Sequence, residues 1–112
     1  MAKIFGFVPL EIQAGVDEQE FAKFFTEHYA PLGEKLGWKG YLLKADRGER
    51  TGKYAFIWEI PSGEQRNRFY PESSQINAEG LRLVGPEFAE MVKKLSTYVT
   101  NWPRTDYIVQ GE

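Results

Sequence analysis

A chain of 112 residues fits one domain, 1–112, with a single hydrophobic core. Its formal net charge of −2 supplies no basic field for nucleic acid, and the absence of cysteine removes disulfides, thiolate nucleophiles and Cys-ligated metal. No apolar run approaches the roughly 18 residues of a membrane span, and Met1 to Phe5 lack a signal-peptide pattern, so a cytoplasmic protein is expected.

Residues 4–12 read as a strand interrupted by Pro9, which belongs at an edge or a bulge. Ala14-Gly15 turn the chain. Asp17 then caps a helix, with Glu20 completing a capping-box pattern. Phe21, Phe24, Phe25, His28, Leu32 and Leu36 follow at helical spacing as one apolar stripe. Pro31 should kink this helix or restart it near Tyr29-Ala30, and Gly37 should end it. A second strand covers 38–45, a charged Gly-bearing loop covers 46–52, and a third strand covers 53–60. Ser62 caps a short helix over 64–70 that Pro71 stops. Ser73-Ser74 and Asn77 suggest a loop, with one or two helical turns over 78–84. Pro86 opens another helix, whose stripe is Phe88, Met91, Val92, Leu95 and Val99. Asn101-Trp102-Pro103 ends it, and 104–110 read as the last strand.

The third strand is the most informative segment. Six of the seven residues from Tyr54 to Ile60 are apolar or aromatic. Side chains alternate along a strand, so Tyr54, Phe56, Trp58 and Ile60 share one face while Ala55, Ile57 and Glu59 share the other. Tyr41 and Leu43 are expected beside Phe56 and Trp58. Strand, helix, strand, strand, helix, strand is the order of an α+β, ferredoxin-like βαββαβ fold, a four-stranded antiparallel sheet with helices on one face. Helices then cover one side only. Burying a large apolar side chain stabilises by roughly 1.5–3 kcal/mol, so the second side calls for a homodimer in which two sheets pair into a barrel.

Two segments carry a family resemblance. Glu27-His28-Tyr29-Ala30-Pro31-Leu32 is similar to the His-x-x-Pro-Leu run that dimeric α/β-barrel proteins often place late in their first helix. The run from Tyr54 through Pro61-Ser62-Gly63-Glu64 is similar to their third strand passing into a short helix. The chain resembles this superfamily, which includes antibiotic-biosynthesis-type monooxygenases, EthD-like and NIPSNAP-type proteins. The resemblance implies a pocket for a small hydrophobic, aromatic or polyketide-like molecule between sheet and helices. It also implies cofactor-independent oxygenation or isomerisation; the alternative is a non-catalytic ligand-binding or stress-associated dimer.

His28 is the sole histidine, and its ordinary pKa suits proton transfer. Axial ligation of haem and plain core packing are the rival roles. Tyr29, Tyr54, Phe56 and Trp58 fit an aromatic wall. Arg66 and Arg68, clustered with Asn67 and Tyr70, suit a carboxylate clamp, or a solvated face. Glu59 suits a salt bridge across an interface, or acid–base work. No cofactor motif and no metal site are expected: there is no Gly-rich phosphate loop, and one histidine without cysteine leaves only carboxylates as metal ligands.

Overall fold

The computed structural model describes residues 2–72 and 75–111. Ser73-Ser74 of the expected loop lie outside them. The first strand stops earlier than its hydrophobic pattern suggests. Pro9 has no N–H to extend a ladder, so β1 (Ile4–Pro9) ends there. Leu10 donates to the Tyr54 carbonyl at 3.0 Å, and a two-residue β2 (Glu11–Ile12) follows. Asp17 then opens α1 (Glu18–Phe24), accepting from the backbone N–H groups of Gln19 at 2.8 Å and Glu20 at 3.3 Å. The Glu20 carboxylate, expected to reach back to the cap, accepts from the Tyr98 hydroxyl at 3.2 Å.

After α1 the backbone widens into a π-helical turn, Phe25–Tyr29, and resumes as α2 (Ala30–Glu34). The expected restart near Tyr29-Ala30 is therefore where α2 begins. Pro31 cannot donate to the ladder. The turn before it closes through a wider bond, from the Ala30 N–H to the Phe25 carbonyl five residues back. This extra residue rotates the buried stripe. Phe21 and Phe25, both fully buried, are followed inward by Tyr29, and His28 swings out to an exposed position. The expectation that His28 sits on the apolar stripe is corrected by that rotation. Gly37, at φ 84°, ends the helical segment.

Then come β3 (Lys39–Lys44), β4 (Tyr54–Ile60), α3 (Gly63–Phe69), α4 (Ala78–Val84), α5 (Glu87–Tyr98), β5 (Val99–Asn101) and β6 (Thr105–Ile108). Ser62 caps α3 as expected, accepting from the Gln65 N–H at 3.2 Å. The four-stranded sheet runs β3-β4-β1-β6 with every neighbouring pair antiparallel. This is the ferredoxin-like order. β2 and β5 form a separate two-stranded piece. Val99, expected on the last helix's stripe, opens β5 instead.

The helix-covered face carries Ile4, Val8, Phe56, Trp58 and Ile60, all buried against Phe21, Phe25, Phe69, Val84 and Leu95. The opposite face is open. There the register aligns Tyr41, Ile57 and Phe7 in one row and Leu43, Ala55 and Pro9 in the next. Tyr41 and Leu43 thus stand opposite Ile57 and Ala55, not beside Phe56 and Trp58 as expected. They are 42% and 40% exposed, and Tyr107 on the same face is 58% exposed. Glu59 lies on this open face too, paired with Lys3 at 2.9 Å and accepting from the Tyr41 hydroxyl at 3.1 Å. Those two partners hold its carboxyl below the usual carboxylate range, so it stays ionised.

Candidate functional site

A cavity of about 620 Å³ lies between the sheet and the helices. Phe56 and Trp58 of β4, with Val8 of β1, form its floor. Tyr29, Leu32 and Gly33 form one wall, at the π turn and α2. Val84, Phe88 and Val92 of α4 and α5 form the other. Trp38, Tyr70 and the Trp102–Arg104 segment close one side. The size and the mostly apolar lining are those of a small-molecule site.

Aromatic packing sets the shape. The Phe25 ring backs the floor, 4.9 Å from Phe56 between centroids. Tyr29 stands 5.9 Å from Phe56 and 6.0 Å from Trp58. Trp38 meets Trp58 edge-on at 6.1 Å and tilts against Tyr70 at 5.2 Å. Offset and edge-on pairs of this kind add stability beyond their buried area.

Trp58 fits because two facing positions lack a side chain. A Cβ on Gly33 would overlap its indole, and one on Gly40 would come within 2.7 Å of Cζ3. Alanine in a helix is ordinarily favoured over glycine by about 1 kcal/mol. Overpacking a buried ring costs about 1–3 kcal/mol, and Trp58 has Gly40 behind it with no room to retreat. Gly33→Ala is therefore expected to lower unfolding free energy by up to about 2 kcal/mol in urea titration. A variant more stable than the parent by the full helix-propensity gain would show that the indole is not clasped.

Among the described lining residues, Tyr29, Tyr70, Gln75 and Arg104 are the polar side chains besides the indoles. The Arg104 guanidinium lies 5.0 Å from the Tyr70 ring and 5.5 Å from the Trp38 ring. Its Nε is 3.0 Å from Asp106 Oδ1. Arg66 reaches the same carboxylate, Nη1 to Oδ2, at 3.1 Å. The Tyr29 phenol is pushed well above its usual range by burial, reinforced by Tyr70 and eased by Arg104. Burial raises Tyr70 likewise, and Arg104 again opposes. Both phenols therefore keep their protons at neutral pH and are able to donate a hydrogen bond.

The residues expected at the site thus divide. Tyr29, Phe56 and Trp58 line the cavity. His28 does not: it is exposed, its ring 6.3 Å from Phe24. Tyr54 is on the helix-covered face but farther along the strand, packed edge-on against Phe21 at 6.1 Å and donating to Glu18 at 3.1 Å. Arg66 is occupied by Asp106, with Asn67 accepting from its Nε at 3.0 Å. Sequence reasoning missed Trp38, Trp102 and Arg104. The usable signal for Arg104 was the pair Arg104 and Asp106, two residues apart and so of one parity in the expected last strand, 104–110.

Among the described residues no group of three or more His, Cys, Asp and Glu is arranged to hold a metal ion. Among them, too, no helix is long and apolar enough to cross a membrane.

No family model matches this chain, and no curated protein matches it. Solved structures do. An uncharacterised NIPSNAP-like domain protein from Burkholderia xenovorans aligns with a TM-score of 0.62 at 16% identity, over 98% of this chain and 85% of that one. A DABB-family protein with a ferredoxin-like fold from Mesorhizobium loti aligns with a TM-score of 0.62 at 14% identity, over 99% and 100%. A dimeric protein of unknown function and ferredoxin-like fold from Bacteroides fragilis aligns with a TM-score of 0.54 at 14% identity, over 96% of each chain. The chain thus shares the ferredoxin-like fold of the Mesorhizobium and Bacteroides proteins.

Proposed function

We propose that this protein binds a small, planar, apolar molecule in the cavity between sheet and helices, and that it works as a two-fold pair joined through the open sheet faces. The cavity carries the first half of this reading. It is about 620 Å³, floored by Phe56 and Trp58 and walled by Tyr29, and flat aromatic walls suit a flat ligand. The open face supports the second half. Phe5, Phe7, Ile57, Tyr41, Leu43 and Tyr107 line one side of the sheet, all of them half-buried or exposed. A contiguous apolar surface of this kind marks an interaction site, and a like-folded protein is described as dimeric.

Binding and orientation fit this lining better than acid–base turnover. The titratable side chains among the described lining residues are Tyr29, Tyr70 and Arg104. Burial keeps both phenols protonated at neutral pH, so these walls offer hydrogen-bond donors and no general base. If the ligand is oxygenated or isomerised there, these donors are the groups that would steady an oxygen on it.

The test uses 2-naphthamide, a neutral planar probe, followed by quenching of tryptophan fluorescence. Saturable quenching is expected in the parent protein, loss of it in Val92→Trp, which fills the cavity from α5, and no change in His28→Ala. Quenching that survives Val92→Trp would place the ligand elsewhere. Loss of binding in His28→Ala would return the exposed histidine to the site.

A further inference from the structure

We propose that the corner of the cavity formed by Trp38 and Arg104 is a subsite for an anionic oxygen, so that the ligand is a planar apolar carboxylate. This rests on the ligand-binding reading above and names its substrate class.

The Trp38 side chain lines the cavity and is only 3% exposed, and its indole Nε1 is buried without a hydrogen-bond partner. A buried donor left without a partner is unfavourable, so an acceptor belongs beside it. Arg104 supplies charge at the same corner, its guanidinium 5.5 Å from the Trp38 ring. Its Nε lies 3.0 Å from Asp106 Oδ1, an ion-pair contact without hydrogen-bond geometry, and its Nη2 donates to Oδ2 at 3.5 Å, so Nη1 is the group offered to a ligand. Arg66 holds the other side of that carboxylate. Two guanidiniums share one carboxylate, so the cluster keeps one positive charge in excess. Gly6, paired with Asp106 across the sheet, makes room for it: a Cβ there would come within 3.0 Å of both Arg104 Cδ and Asp106 Oδ1.

The experiment compares 2-naphthoate with 2-naphthamide, equal in shape and differing in charge, by titration calorimetry. Hydrogen bonds to a charged group predict that the parent protein prefers the naphthoate by roughly tenfold or more. Arg104→Met keeps the stem over Tyr70 and removes the charge; it is expected to weaken the naphthoate far more than the naphthamide, so that the preference falls to near parity. Trp38→Phe removes the N–H and is expected to weaken both probes, the naphthoate more. If the parent protein binds both probes equally, or Arg104→Met keeps the preference, the anionic subsite is overturned while the apolar cavity stands. If neither probe binds, the cavity reading itself fails and the subsite with it. The parent ratio decides the matter even if a variant does not fold.

Discussion

Phe25→Ala is expected to cost about 3–5 kcal/mol, as for other fully buried aromatic truncations. That is a large share of the roughly 5–15 kcal/mol that holds a domain of this size together. Phe25 is 0% exposed and sits at the start of the π turn. Its ring contacts Phe56 at 4.9 Å, Tyr29 at 5.7 Å and Trp58 at 6.3 Å. Truncation removes the transfer free energy of the ring and leaves a void behind the cavity floor that rigid neighbours cannot fill. His28→Ala, three residues on, is expected to change stability by no more than about 0.5 kcal/mol, because His28 is exposed. The pair tests the π turn itself. In an unbroken α-helix with His28 on the inward stripe, the histidine substitution would carry a clear cost. Urea unfolding of both variants reads the difference. A cost below about 1 kcal/mol for Phe25→Ala would contradict the packing described here.

Phe7→Glu is expected to split the pair of chains into monomers. Phe7 lies in the middle of the open face, between Ile57 on β4 and Thr105 on β6. In a two-fold interface each substitution occurs twice. Losing two buried phenylalanines removes about 3–6 kcal/mol of apolar burial, before the cost of desolvating two carboxylates. The dissociation constant should therefore rise by at least about a hundredfold. Sedimentation should show the parent protein at twice its chain mass at micromolar concentration and Phe7→Glu at one chain mass, with unchanged circular dichroism. A monomeric parent, or a variant that stays paired, would contradict the proposed association.

Much of the fold was legible because its signals are local. Asp17 and Ser62 cap helices by bonds to residues two and three positions on. Pro31 forbids a continuous ladder, and the restart at Ala30 follows. The amount of helix in the chain anticipated a sheet that its own helices cover on one side only. The errors came where distant residues decide. Whether the chain meets Pro31 with a kink or a π turn depends on how Phe25 and Tyr29 pack on Phe56, about 30 residues away. That choice moved the inward position from His28 to Tyr29. The pairing of β2 with β5 joins Glu11 to Asn101 and interrupts a hydrophobic pattern that reads as one strand.

The site was half legible for the same reason. Phe56 and Trp58 follow from strand alternation. Tyr54 shares that parity but lies at the wrong end of the strand, against Phe21, and parity cannot report position along an axis. Arg66 and Arg104 are alike as side chains. Asp106, 40 residues from one and two from the other, binds both, yet only Arg104 stacks on Trp38 and Tyr70 at the cavity.

A crystal structure of the protein soaked with 2-naphthamide tests the proposed function most directly. The naphthyl ring is expected between Tyr29, Phe56 and Trp58, parallel to at least one of those rings and within van der Waals reach of Val92. A ring seated instead on the open face against Phe7 and Ile57, with the cavity closed by its own side chains, would contradict the proposal.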